Sequence, residues 1–284
     1  MLEIVDLSQK LHKKKYRRLL NRYQTQVRLL GYHVYQQQRP VLMVFEGWDA
    51  GGKGGAISRL TERMDPRAYV VHPIAAPLGD DAVKHYLWRF WRRLACQRRN
   101  RHLRPQLVWR LMVERVESYC TEAEWQRAFQ EIREFEQQLV GFGTIIFKFW
   151  MHISKEEQLQ RFEARQARPH KQWKLTDEDW RNREKWDIYE QAVEDMLIKT
   201  TTAQSPWTII AANDKRFARV QVLETVVRRL SQELHIDPSP ENIADLPALA
   251  APTPIPDWAL ADAQALGIPV STPAQPNGET AGVH

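Results

Sequence analysis

The residues with the clearest chemical potential lie in one glycine-rich turn. A short apolar run, Val41 to Glu46, leads into Gly47-Trp48-Asp49-Ala50-Gly51-Gly52-Lys53-Gly54-Gly55, and a helical pattern continues to about Met64. This is the G-x-x-x-x-G-K spacing of a phosphate-binding loop. Glycines let successive N–H groups turn inward around phosphate oxygens, and the helix N-terminus adds partial positive charge. Gly47, Ala50, Gly51, Gly52, Lys53, Gly54 and Gly55 are the candidate phosphate-binding residues, with Lys53 as the point charge on the transferring group. The hydroxyl residue that usually follows such a lysine and holds magnesium is replaced by Gly54. Asp49 would repel a bare phosphate, but its position makes sense if it faces Mg2+, so it is the candidate metal ligand. The competing reading is a glycine-rich strand–helix turn with a solvated lysine.

A second basic module spans residues 155–199. Arg161, Arg165, Arg168, Lys171 and Lys174 surround Pro169 between two helical patterns. A basic helix–loop–helix over a phosphate loop can close, exclude water and neutralise charge at a phosphoryl-transfer transition state. The alternative is a solvated hairpin, with Trp173, Trp180 and Trp186 as ordinary core.

The elements that would position these groups alternate. Helical spacing of Leu11, Leu19, Leu20, Tyr23, Val27 and Leu30 predicts a first helix from Ser8 to about Leu30, with Lys and Arg on the other face. Strands are predicted at 41–46, 69–72, within 143–153 and at 207–211. Further helices are predicted at 80–94, 121–140, 155–167, 176–199 and 217–234, with Thr121 and Glu124 spaced as a capping box. Strands alternating with helices argue an α/β fold built on a parallel sheet flanked by helices.

Charge and composition bound the rest. Residues 1–235 carry 41 bases and 29 acids, a body that expects a polyanion or a multiply phosphorylated ligand. Residues 236–284 hold no Lys or Arg and nine of the 16 prolines, and read as a flexible acidic tail. No apolar run reaches the roughly 20 residues needed to span a membrane, and the first residues lack a secretory pattern. Two cysteines, Cys96 and Cys120, make no disulfide or metal framework, so a cytoplasmic protein is expected.

Together, FEGWDAGGKGG, KFWMHISKEEQLQRFEAR, KQWKLTDEDWRNREKWDIYEQAVEDML, TTAQSPWTIIAANDK and RVQVLETVV resemble the polyphosphate kinase 2 family over roughly residues 8–234. The resemblance implies a P-loop kinase fold in residues 1–235, with a helical lid at about 155–190. It implies Mg2+-dependent phosphoryl transfer between inorganic polyphosphate and a nucleoside mono- or diphosphate, in a homo-oligomer that binds no specific nucleic acid and no membrane. It implies Asp49 at the metal, Lys53 on the phosphates, and Arg161, Arg165, Lys171 and Lys174 as lid residues meeting polyphosphate or the transferred group.

One family element is displaced. Between LWRFWRRL and LMVERVE the family carries a strand and the motif FDRSWYGR, whose aspartate completes the magnesium site. Here LRPQLVW, Leu103 to Trp109, stands in that place with unchanged spacing, inside the basic run RRNRHLRPQLVWR. Compensating frameshifts reproduce the difference. With suitable synonymous codons, Ala95 to Trp109 read one base later gives PASGEIAIFDRSWYG. Arg110 is then in frame and is the motif's arginine, while Arg104 replaces the acid. A basic nucleic-acid-binding loop is the rival reading. The written chain is expected to have little or no activity, and the WYGR form of the motif points to AMP as acceptor. An ATP-dependent nucleotide kinase and a non-catalytic polyphosphate-binding remnant remain the alternatives.

Overall fold

The structure is a computed structural model that describes residues 1–72, 79–94, 100–103, 108 and 110–239. The acidic tail beyond Ser239 and most of the 95–109 stretch, Arg104 included, lie outside the described residues.

Among the described residues five parallel strands form one sheet: β1 Val41–Gly47, β2 Tyr69–His72, β3 Asn100–Leu103, β4 Ile145–His152 and β5 Trp207–Ala211, in the order β2-β3-β1-β4-β5. β1 and β4 pair in register from Val41 with Ile145 to Gly47 with Met151. All eight residues of β4 are buried, as expected for a parallel strand covered on both faces. Lys148 can sit there because its ammonium meets Glu136 at 2.8 and 3.0 Å and the Thr200 carbonyl at 2.6 Å. Burying that charge without partners would be prohibitive.

One face of the sheet is covered by α1 Lys13–Gln36, α2 Lys53–Thr61 and α10 Lys215–Leu234, which pack on one another. Two short helices, α3 Asp80–Val83 and α4 Trp88–Leu94, follow β2. A π-helical turn, Arg110–Glu114, contacts α5 Glu122–Gly141 and the later helix α9 Trp186–Thr200. The Thr121–Glu124 capping box forms. Between β4 and α9 lie α6 Lys155–Gln166, α7 Pro169–Gln172 and α8 Asp177–Glu184, the segment in which the sequence reading expects a lid and which is called the lid segment, or lid, below.

Several boundaries differ from the sequence reading. The first helix starts at Lys13 rather than Ser8 and runs on to Gln36. The helix expected over 80–94 is two short pieces, and the one over 176–199 breaks at Lys185. The break separates the lid helix, which buries nothing, from α9, which buries Trp186, Tyr189, Val193 and Leu197. The backbone of Asn100–Leu103, a stretch without strand periodicity, is a strand paired on both sides, with β1 and β2. Ladder hydrogen bonds are a backbone property, so flanking strands can impose them on a segment of poor β propensity.

Candidate functional site

The glycine-rich loop leaves the C-terminal end of β1 at the point where the strand order reverses, the crevice in which open α/β sheets bind ligands. Gly47 is obligatory on steric grounds. Its φ is 144°, and a Cβ there would lie 2.5 Å from the Met151 carbonyl oxygen on the neighbouring strand. Gly52, at φ 103°, precedes α2 and offers no side-chain cap. Gly55 N–H donates to the Gly52 carbonyl at 3.0 Å, while the Lys53 and Gly54 N–H groups, which precede the first intrahelical bonds of α2, are left for an anion. Lys53 opens that helix, and its ammonium bonds the carbonyls of Gly47 and Trp48. Trp48 is locked by stacking on Trp186 at 3.8 Å and by donating from Nε1 to His152 Nδ1 at 3.1 Å. Burial holds His152 neutral, with its pKa down to about 4.

Beside the loop is a cavity of about 330 Å³. Ala50, Gly51, Gly52 and Gly55 contribute from the loop and from α2. The lid contributes Arg161, Arg165, Arg168, Lys171 and Lys174, all of the bases expected from the sequence. Sequence reasoning missed Lys215 and Arg219, which enter from α10. Among the described residues, seven bases and no acid line this space. Packed protein, and then Arg161, push the Lys215 ammonium below the usual lysine range even though its side chain reaches solvent. A cluster of like charges at this density is costly unless an anion joins it. The signal for Lys215 was its place in AANDK, directly after β5, where strand ends meet the crevice.

Arg161 is both wall and staple. It is 5% exposed and spends its donors on Glu157 at 2.6 Å and on the carbonyls of Ala50, Ala212 and Asn213 at 2.8, 2.7 and 2.9 Å. It ties the lid root to the phosphate loop and to the end of β5. Gln158 adds a bond to the Asp49 carbonyl at 3.2 Å. Trp173 is 75% exposed at the lid tip, with Lys174 over its ring at 4.9 Å, so it is not the core residue of the bland reading.

Asp49 Oδ2 accepts from Asn182 Nδ2 at 3.1 Å, and Asp179 on the same lid helix lies close enough for Asp49 to help hold its carboxyl above the usual range, after burial. Among the described residues no group of three His, Cys, Asp or Glu could enclose a metal. Arg110 sits apart from the cavity, paired with Glu114 at 2.9 Å and over the Tyr86 ring at 4.5 Å. Glu46, the last buried carboxylate before the loop, has its pKa raised to about 8 by burial, with Lys53 and Arg89 opposing.

The family model described as Polyphosphate kinase 2 matches residues 10–238. A polyphosphate:AMP phosphotransferase of Pseudomonas aeruginosa is 46% identical over 226 residues, covering 80% of this chain and 46% of that protein. An ADP-polyphosphate phosphotransferase of Rhizobium meliloti is 37% identical, covering 73% and 67%. A crystal structure of a polyphosphate kinase 2 from Arthrobacter aurescens superposes with a TM-score of 0.78 at 27% identity, covering 94% of this chain and 92% of that one. The chain spans a little under half the length of the polyphosphate:AMP phosphotransferases it matches, at 46% and 47% for the two from Pseudomonas. No helix among the described residues is long and apolar enough to cross a membrane. Sheet order, phosphate loop and basic lid agree with the sequence match, and this chain belongs to the polyphosphate kinase 2 family.

Proposed function

We propose that this chain transfers phosphoryl groups between inorganic polyphosphate and a nucleotide, with AMP as the preferred acceptor. The observation that carries the reading is the cavity beside the phosphate loop, which among the described residues is lined by seven bases and no acid. A single nucleotide triphosphate needs fewer cations, whereas a chain with one charge per repeat is matched by a wall of them. Names of relatives at 46% and 44% identity favour AMP over ADP.

Phosphoryl transfer is largely a matter of positioning and charge neutralisation. Backbone N–H groups of the loop and the start of α2 would grip the donor. Lys53 would leave its carbonyl partners for the transferring group, while Arg165, Lys171 and Lys174 close over it. Asp49 and Asp179 offer oxygen donors only, which fits Mg2+, an ion that keeps waters and substrate phosphates as its other ligands. When bound, the ion would draw charge off the phosphates. Arg104 stands where a further carboxylate is expected, and weak turnover of the written chain is part of the proposal. Cysteine usage supports a cytoplasmic enzyme.

The test is product analysis with AMP as acceptor and either polyphosphate or ATP as donor. ADP formed from polyphosphate supports the reading. Transfer from ATP alone would make the chain a conventional nucleotide kinase.

A further inference from the structure

The basic surface does not end at the cavity. Residues 7–45 contain nine bases and not one Asp or Glu. Most of the bases fall on the N-terminal half of α1, where Lys13, Lys14, Arg17, Arg18 and Arg22 are exposed at i, i+1, i+4, i+5 and i+9, one side of a helix. The opposite side, with Val27 and Leu30, is buried. Among the described residues Lys13, Lys14, Arg17 and Arg18 have no acidic partner. The nearby acids are engaged elsewhere: Asp6 by Ser8 and Gln9, Glu224 by Tyr23.

This placement breaks a local rule. The first turn of α1 is Lys13-Lys14-Lys15, with no acid and no side-chain cap from His12. Three ammonium groups at the positive end of the helix dipole oppose it, where acids would stabilise. By contrast α5, α6 and α8 all carry acids in their first turns and side-chain caps. α2, which opens on Lys53 at the phosphate loop with no acid and no side-chain cap, departs from the rule in the same way, so the start of α1 shares the pattern of a helix end suited to an anion.

The stripe also adjoins the cavity. Arg216 Nη1 reaches the Leu11 carbonyl at 3.5 Å, just ahead of α1, while its chain neighbour Lys215, and Arg219 one turn on, line the cavity. We propose that the exposed face of α1 from Lys13 to Arg22 is an outer subsite for polyphosphate, holding the part of a long chain that extends past the cavity by way of Arg216. The inference rests on the cavity being a polyphosphate site. It adds that affinity depends on chain length.

The test compares tripolyphosphate, which the cavity alone can hold, with long-chain polyphosphate. Binding is measured by titration over a range of salt, on the full chain and on a Lys13→Gln, Lys14→Gln, Arg17→Gln, Arg18→Gln variant. The expected result is an unchanged tripolyphosphate affinity and a long-chain affinity lower by about tenfold or more. The slope of log affinity against log salt should also be shallower by about 3 for four lost contacts. A second variant, Lys13→Glu with Lys14→Glu, should weaken long-chain binding while its Tm stays level or rises, because the helix dipole is now complemented. Equal loss for both ligands, or no loss for either, overturns the subsite. So does a Tm that falls in the Glu variant. Stripe-dependent binding of phosphatidylserine vesicles or single-stranded RNA, with no chain-length effect for polyphosphate, would give the face to a different partner. If wild type binds neither phosphate, the reading of the cavity falls first, a distinguishable failure.

Discussion

Arg161 was expected to be a lid residue meeting phosphate, yet its guanidinium is mostly committed to the protein itself. It bonds Glu157 and three carbonyls on two separate segments, and it is 5% exposed. Arg161→Met fills much of the space but leaves Glu157 and the carbonyls of Ala50, Ala212 and Asn213 without their donor. Breaking a buried, hydrogen-bonded charge in this way costs about 3–5 kcal/mol. For a domain of this size each kcal/mol moves Tm by about 2–4 °C, so the expected fall is about 6–20 °C. The control is Lys171→Met, a partly exposed lid base in the same cavity, whose surface truncation should stay within about 0.5 kcal/mol of wild type. Thermal unfolding and tripolyphosphate titration on the two variants separate the roles. Arg161→Met should lose stability first, whereas Lys171→Met should lose affinity alone. A wild-type Tm for Arg161→Met, with only affinity reduced, would refute the staple.

Other perturbations have definite signs. Glu46 has a folded pKa of about 8 against an ordinary 4.5, so the folded state holds a proton that the unfolded chain releases between those values. Stability from this group therefore falls as pH rises through that window. Glu46→Gln should gain Tm over wild type from pH 5 to 8 and gain no more above it, and a gain that is independent of pH would contradict this. His152 is shifted the other way, to about 4 from 6.5, so its contribution is complete above pH 6.5 and is lost as pH falls toward 4. His152→Asn should flatten that part of the acid-unfolding curve, followed by fluorescence of the stacked Trp48 and Trp186. Gly47→Ala should fail to give folded protein, because the clash is with backbone at 2.5 Å. Gly52→Ala, strained at φ 103° but with its nearest neighbour at 3.9 Å, should fold with reduced phosphate affinity. A soluble Gly47→Ala with wild-type Tm would show that β1 and β4 are less tightly apposed.

What could be read from the sequence was mostly local. The loop between β1 and α2 was legible because strand, glycines, lysine and helix are contiguous. The lid bases were legible because they cluster around Pro169. Lys215 and Arg219 were not, since their helix joins the cavity only after five strands are ordered, and cavity membership is a tertiary property. Asn182 is 133 residues from Asp49, and only folding brings its amide to that carboxylate. The double role of Arg161 was hidden for the same reason, because its carbonyl partners lie 111, 51 and 52 residues away. β3 escaped because its pairing comes from backbone neighbours on both sides while Asn100, Arg101 and His102 carry no strand period.

The most direct test of the central claim is the appearance of ADP from AMP and polyphosphate, followed side by side in two proteins. One is the chain as written. In the other, Ala95 to Trp109 is replaced by PASGEIAIFDRSWYG. The account predicts that both bind tripolyphosphate, that the restored chain makes ADP only with Mg2+ present, and that the written chain makes little. A restored chain that binds no polyphosphate, or that takes phosphate only from ATP, would contradict it.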